Sequence, residues 1–285
     1  MSNAQRHRKP LVLVTDELDP PHWDAEGESE FISRLSVCQD IWGRNCFTPG
    51  VEFAMRQAAN ALAINKKQIV GAIGTHMGGF GLVLQDHGTH IEVFEGNEQL
   101  YEHNHSNPQY LGKLIKLERW KPGAPLLKAN RYHRLSTYGA FAAAKDVGAF
   151  AREVSDAIKP GGYLYVDEIW ANDAGSAQKL AGAACLFPSD VCYRNKGEVL
   201  TNLSRELELR STNEANRLVK SDIRNGLVHA QTVAQKLKQI PEPMRKQRLI
   251  ALTLELQRAV VMYDALERDA IVATRYVFYK KPEIR

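Results

Sequence analysis

Apolar positions recur along the chain with two different spacings. Short runs rich in β-branched and aromatic residues alternate with longer segments in which apolar residues return every three or four positions. The first spacing is typical of buried strands and the second of helices packed on them, so their alternation predicts an α/β fold with a parallel sheet and crossover helices. The predicted strands are residues 11–15, 68–73, 89–94, 113–117, 132–137, 163–166, 206–212 and 271–279.

The helical spacing predicts seven helices, at residues 29–41, 49–63, 80–87, 98–104, 142–158, 214–238 and 243–270. The helix at 142–158 is strongly amphipathic, and we expect the sequence Lys159-Pro160-Gly161-Gly162 to end it. The last two helices carry apolar stripes, which indicate packing against the rest of the fold. Two further roles stay open for this helical region, a lid over a site and a dimer face.

Composition and charge narrow the class of protein. Hydrophobic residues make up 44% and charged residues 25% of the 285 positions, which is typical of globular proteins and not of disordered or membrane proteins. The first residues lack the apolar stretch of a secretory signal, and the four cysteines form no C-x-x-C motif, so we expect a cytoplasmic protein with reduced thiols. The net charge of +4 is spread along the chain, and no nucleic-acid or membrane partner is expected.

A glycine-rich turn follows the strand at 68–73. Gly74, Gly78 and Gly79 allow the backbone to approach a ligand and to point free N–H groups at a phosphate or a carboxylate, although the strict G-x-G-x-x-G pattern is absent. Glu95 ends the next strand, 21 residues after Gly74, where a carboxylate can accept hydrogen bonds from both hydroxyls of a ribose. The turn and the acid together predict a nucleotide-cofactor site.

Three segments, 69–97, 132–136 and 159–164, resemble in order and spacing the class I S-adenosylmethionine (SAM)-dependent methyltransferases. The Lys-Pro-Gly-Gly sequence before the fifth strand is the most specific piece. Trp42-Gly43, Thr48-Pro49-Gly50 and Gly78-Gly79 look like a bacterial small-molecule methyltransferase subgroup. The resemblance covers residues 40–170, and the strand at 271–279 fits the last, antiparallel strand of that fold.

The resemblance implies a doubly wound, mostly parallel seven-stranded sheet with SAM across the carboxyl ends of its strands. It divides the chain into an N-terminal arm and helix (1–48), a SAM-binding core (49–173), a helical region with one strand (174–270) and the final strand (271–285). The expected activity is direct in-line methyl transfer to a small-molecule acceptor, because the sulfonium is already activated and positioning provides most of the acceleration.

The resemblance also implies site residues. Glu95 would hold the ribose, the glycine turn would line the methionine part of SAM, and Trp120 would offer a stacking surface for adenine. The full set of implied cofactor contacts is Gly74, His76, Gly78, Gly79, Glu95, Gly96, Asn97, Arg119, Trp120 and Thr137. The candidates on the acceptor side, including any general base, are Tyr138, Glu168 and His133, with His76 and Asp167 as further bases. His103 and His105 lack a third ligand nearby, so a metal site is not expected.

Two positions depart from the family pattern. Ala72 stands where the family usually carries an acid near the end of the first strand, and His76 stands at the expected middle glycine of the turn. These changes leave open an alternative function, a non-catalytic methyltransferase-like subunit that binds or assembles with a partner, in a homodimer or a hetero-assembly. An NAD-linked dehydrogenase shares the turn and Glu95, but the Lys-Pro-Gly-Gly sequence and the strand at 271–279 disfavour it.

Overall fold

The computed structural model describes residues 29–43, 46, 48–74, 83, 89–106, 115–121, 126–172 and 193–282. The strand predicted at 11–15 and, except for Val83, the helix predicted at 80–87 lie outside the described residues. The same is true of three positions of the glycine turn, His76, Gly78 and Gly79.

One seven-stranded sheet forms the centre of the fold, in the order β3-β2-β1-β4-β5-β7-β6. The first five strands in that order are parallel, and β7 runs antiparallel to both of its neighbours. The strands are β1 (Ile69–Ile73), β2 (His90–Glu95), β3 (Ile115–Arg119), β4 (Tyr132–Tyr138), β5 (Ile158–Ala171), β6 (Glu208–Glu214) and β7 (Ile271–Tyr279). This topology confirms the predicted doubly wound, mostly parallel sheet, including its antiparallel last strand.

Helices cover both faces of the sheet. They are α1 (Glu30–Trp42), α2 (Val51–Ala61), α3 (Glu98–His105), α4 (Ala140–Ala143), α5 (Val147–Ala157), α6 (Lys196–Leu203), α7 (Asn216–Leu237) and α8 (Met244–Glu267). Apolar side chains of α1, α2, α7 and α8 form one core with Tyr138 and Tyr165, and those of α4, α5 and α6 form a second core with Val166 and Trp170. Successive β5 residues therefore face different helical layers, as the period of two in a strand requires.

The predicted helix at 142–158 is wrong in one respect, because the structure divides this segment into α4 and α5. Ala144 is extended between them, with ψ 130°, and the Asp146 side chain accepts a hydrogen bond from the N–H of Ala149 at 2.9 Å. Such a cap starts a new helix, and apolar spacing does not reveal it.

The Lys159–Gly162 sequence also differs from its prediction as a turn that separates a helix from a strand. Strand β5 begins at Ile158, which pairs with Tyr132 of β4. The register then shifts, because the next pair joins Tyr163 with Arg134. Gly161 has φ +80°, and its N–H donates to the carbonyl of Lys280 at 2.8 Å. The glycines therefore form a bulge within β5, after which the strand pairs with both β4 and β7 from Tyr163 onward.

The helical region that follows packs into the fold. Val219, Ile223 and Val233 of α7 and Leu252 and Met262 of α8 are buried in the same core as α1. No helix within the described residues is both long and apolar enough to cross a membrane.

Candidate functional site

The carboxyl ends of the parallel strands meet at one edge of the sheet and are joined by backbone hydrogen bonds. Gly74 N–H donates to the carbonyl of Phe94 at 2.9 Å, Trp120 N–H to that of Glu95 at 2.9 Å, and Gly139 N–H to that of Asp167 at 3.1 Å. The strand order reverses between β1 and β4, where open α/β sheets form a crevice for ligands.

Gly74 ends β1 in a position where only glycine fits. Its φ is +78°, and a Cβ atom there would lie 2.2 Å from the carbonyl oxygen of Tyr138. Because Gly74 has no side chain, the backbone at the end of β1 packs directly against the end of β4.

The turn after β2 is closely packed. Glu95 is 6% exposed, and its Oε1 accepts a hydrogen bond from Asn97 N–H at 2.8 Å. The Asn97 side chain caps α3 by accepting from Leu100 N–H at 2.9 Å. A Cβ atom on Gly96 would lie 2.9 Å from Cε3 of Trp120, so this turn rests on the tryptophan ring.

Arg119 and Trp120 end β3 and point in different directions. The Trp120 ring is 4% exposed and packs on Phe150, with ring centroids 5.1 Å apart. The Arg119 guanidinium instead forms ion pairs with Glu98, at 2.8 Å, and with Glu102 on α3. Within the site, Arg119 therefore fixes α3 against β3.

Thr137 and Tyr138 end β4. Thr137 is fully buried, and its Oγ1 has no hydrogen-bond partner among the described residues. Tyr138 lies beside Tyr165, with ring centroids 6.2 Å apart, and burial raises the pKa of Tyr138 well above its usual value. The Tyr138 phenol therefore stays protonated at neutral pH.

Asp167 on β5 is held by Arg275 on β7, a residue that the sequence analysis did not single out. Arg275 Nε donates to Asp167 Oδ2 at 3.0 Å, and Nη1 donates to Gln57 Oε1 on α2 at 2.9 Å. Burial raises the pKa of Asp167, and the Arg275 guanidinium opposes that shift. One signal was available, since Arg275 is the single charged residue in the apolar run of β7.

Glu168 faces the opposite helical layer from Asp167. Its side chain is buried, and its Oε1 accepts a hydrogen bond from Phe141 N–H at 2.9 Å, at the start of α4. Burial raises the pKa of Glu168 to about 8, against the effect of this backbone donor. The carboxyl group thus joins β5 to α4.

His133 lies near the amino end of β4, and the structure does not bring it together with the residues above. Its Nδ1 accepts a hydrogen bond from the N–H of Ile69, the first residue of β1, at 3.1 Å. The five residues of β1 separate Ile69 from Gly74 by about 17 Å.

Comparison with known proteins gives similarity in structure only. No family model and no curated protein sequence matches the chain. A phosphoethanolamine N-methyltransferase 2 of Haemonchus contortus, solved with SAM, aligns over 87% of this chain and 57% of its own with 11% identity and a TM-score of 0.69. The [4+2]-cyclase SpnF aligns over 89% of this chain and 93% of its own with 12% identity and a TM-score of 0.66.

Coclaurine N-methyltransferase, solved with N-methylheliamine and S-adenosylhomocysteine (SAH), aligns over 87% of this chain and 79% of its own with 13% identity and a TM-score of 0.65. Sequence identities this low support similarity of fold only, so the chemistry has to be inferred from the residues of the site. The strand order, the antiparallel β7 and these structural neighbours agree: the chain has the fold of the class I SAM-dependent methyltransferases.

Proposed function

We propose that this protein is a SAM-dependent methyltransferase that acts on a small-molecule acceptor by direct in-line transfer. The observation that carries the proposal is the edge where Gly74, which excludes a side chain, is hydrogen-bonded to the end of β2, the strand that ends in the buried Glu95. A nucleotide cofactor needs a close backbone approach at the end of β1 and an acid for its ribose at the end of β2, and these two residues supply both.

The residues at this edge fit SAM in their chemistry. Glu95 offers carboxylate oxygens to ribose hydroxyls, and the buried Trp120 ring supports the turn at Gly96 from below. The orphaned Thr137 Oγ1 adds a polar atom at the end of β4. Bound SAM supplies an activated methyl group, so the protein's task is to place an acceptor about 3 Å from it and in line.

Tyr138 and Asp167 lie on the acceptor side of the proposed site. Tyr138 stays protonated and suits hydrogen-bond donation to an acceptor better than proton removal. Asp167, oriented by Arg275, is the carboxyl group on this face that can accept a proton from a polar acceptor. Glu168 is a positioning residue that holds the start of α4, and His133 at the opposite edge has no part in this mechanism.

Calorimetric titration with SAM and SAH tests the cofactor. We expect saturable binding of both compounds, since neither the transferred methyl nor its charge is needed for the contacts at Glu95 and Gly74. Absence of any heat at high micromolar ligand contradicts the proposal.

Substitution of Glu95 tests the ribose contact. Glu95→Ala removes charge-assisted hydrogen bonds and should weaken SAM binding by about 1.5–3 kcal/mol, roughly ten- to a hundredfold. Glu95→Gln keeps an acceptor for the Asn97 N–H and loses only the charge, so its affinity should fall between those of the wild type and the alanine variant. Glu206→Ala is the control, because Glu206 is an exposed acid that precedes β6 at the amino edge of the sheet. Unchanged SAM affinity in Glu95→Ala would mean that Glu95 does not hold the ribose.

Methyl transfer itself needs a separate test, because the same fold also occurs in a protein described as a cyclase. Incubation with SAM labelled in its methyl group and fractionated small-molecule extracts should give a labelled product. SAM binding without any labelled product would favour the alternative, a non-catalytic binding or assembly subunit.

A further inference from the structure

A second cleft lies at the amino edge of the sheet, across the molecule from the proposed methyl-transfer site. It has a volume of about 230 Å³ and is lined by Ile69, Lys128, Ala129, Asn130, Arg131 and Lys159. Three of these six residues carry a positive charge. The five residues of β1 separate this cleft from Gly74 by about 17 Å, so the two places are distinct.

The positive charge of the cleft is only partly compensated. Arg131 is paired with Glu92, with Nε donating to Glu92 Oε2 at 2.9 Å. Lys128 and Lys159 form no ion pair within the described residues. The nearby carboxylate of Glu153 accepts hydrogen bonds from the backbone N–H groups of residues 126 and 127, at 2.7 and 3.0 Å. Two cations thus remain for a ligand.

His133 adds a hydrogen-bond donor beside Lys159. Its Nδ1 faces the backbone N–H of Ile69 at 3.1 Å, and because that N–H can only donate, Nδ1 must be the acceptor. The ring proton therefore sits on Nε2, which faces Lys159 Nζ at 3.4 Å. Burial, together with the charges of Lys159 and Arg134, lowers the pKa of His133 and favours this neutral tautomer. An ammonium group has no acceptor to offer, so two donors face each other and neither can accept from the other. Both donors are therefore open to an acceptor from outside the chain.

We propose that this cleft binds the phosphate group of a small-molecule ligand. A phosphate has three strong acceptor oxygens, which suits a cleft lined by the ammonium groups of Lys128 and Lys159, with the His133 Nε2–H donor beside Lys159. A phosphate group also carries a charge of about −1.5 to −2 at pH 7, which matches the two lysine cations better than the single charge of a carboxylate. This site is independent of the proposed methyl transfer, because none of its residues lies at the carboxyl edge.

The test is a titration of the full chain with inorganic phosphate, at pH 7 and at constant ionic strength kept with sodium chloride. The readout is the long-range ¹H–¹⁵N spectrum of the His133 ring, which reports its tautomer and its Nε2 environment. We expect a protonated Nε2 before titration and a saturable shift of this resonance on addition of phosphate. Adenosine monophosphate as a second titrant separates the sources: tighter binding than phosphate identifies an organic phosphate ester, and equal binding identifies free phosphate.

Lys159→Gln should weaken phosphate binding about ten- to a hundredfold, the loss expected for one charge-assisted hydrogen bond. Lys236→Gln is the matched control, since it removes the same charge from an exposed position on α7. The unfolding midpoint of each variant shows whether it is folded. Three results would overturn the proposal: no saturable shift, equal weakening in both variants, or the same shift with chloride alone.

Discussion

Gly74 combines a left-handed backbone with contact to a neighbouring strand. Its φ of +78° is unfavourable for any L side chain, and the Tyr138 carbonyl occupies the space that a Cβ atom would need. Gly139, on the other side of the same contact, has φ +62°, and apart from its chain neighbours no atom of the described residues lies within 4 Å of the position of a Cβ atom. A comparison of the two glycines therefore distinguishes the energetic cost of backbone strain from that of steric overlap.

Alanine substitution at these two glycines should have unequal effects. Gly139→Ala introduces only the left-handed strain of about 1–2 kcal/mol, whereas Gly74→Ala adds an overlap with main-chain atoms that cannot rotate away. We expect a clearly larger loss in the free energy of unfolding for Gly74→Ala, measured by urea titration. Equal losses would contradict the close approach of β1 and β4 at this point.

The residues of the site that could be predicted from the sequence are those whose signal is local. Gly74 and Glu95 follow directly on predicted strands, and strand ends are where this class of fold binds its ligands. The pair of Asp167 and Arg275 could not be predicted, because 108 positions separate its members and no spacing relates them. The orientation of Arg119 also depends on a helix that packs beside it, which spacing does not describe.

At the scale of elements, the starts of helices were harder to predict than the order of strands. Strand composition was sufficient to locate all seven strands of the sheet, with boundaries displaced by two residues at β3 and β6 and by five residues at each end of β5, where the glycines lie within the strand. The division between α4 and α5 depends on side-chain acceptors instead. Asp146 caps α5 from within the segment, and Glu168 reaches the start of α4 from another strand.

Glu168 should make the stability of the fold depend on pH. Its pKa is about 8 in the folded chain and about 4.3 in an unfolded one, so between these values the folded state binds the additional proton. Stability is then highest below the lower value and falls as pH rises toward 8, by at most about 1.4 kcal/mol per pH unit.

Glu168→Gln cannot ionise, yet its amide oxygen can still accept from Phe141 N–H. From pH 5 to pH 8, the free energy of unfolding of the glutamine variant should therefore rise relative to that of the wild type. Urea titrations at matched salt measure this difference. Asp167 is present in both proteins, so its titration contributes to both profiles. Parallel pH profiles for the two proteins would show that Glu168 is ionised throughout.

At the scale of the whole molecule, Arg275 joins elements from both ends of the described chain. Its guanidinium contacts β5 through Asp167, α2 through Gln57 and the turn before α2 through the carbonyl of Gly50, at 3.3 Å. Its side chain is 3% exposed. A buried charge with three partners on different elements fixes the position of α2 on the sheet.

Loss of this charge should destabilise the whole fold. Arg275→Met leaves the partly buried carboxyl group of Asp167, which is 18% exposed, without its ion-pair partner, and we expect a cost of about 3 kcal/mol, at the lower end of the range for buried pairs. Arg210→Met is the control, since Arg210 lies on the adjacent strand β6, is 48% exposed and pairs with Glu208 on the surface at 3.3 Å, where such pairs contribute at most about 1 kcal/mol. Thermal and urea unfolding should rank the two variants in this order, and a cost for Arg275→Met as small as that of the control would contradict its structural role.

Strand β7 has a consequence for how the protein is made. It lies between β5 and β6 and follows the other six strands of this sheet along the chain, so β5 and β6 lack this neighbour until residues 271–279 have left the ribosome. During synthesis, the nascent chain therefore carries an apolar β5 with one unpaired edge, the kind of surface that promotes aggregation and recruits chaperones. The sheet can be completed only after translation of β7, the strand that also carries Arg275 to Asp167.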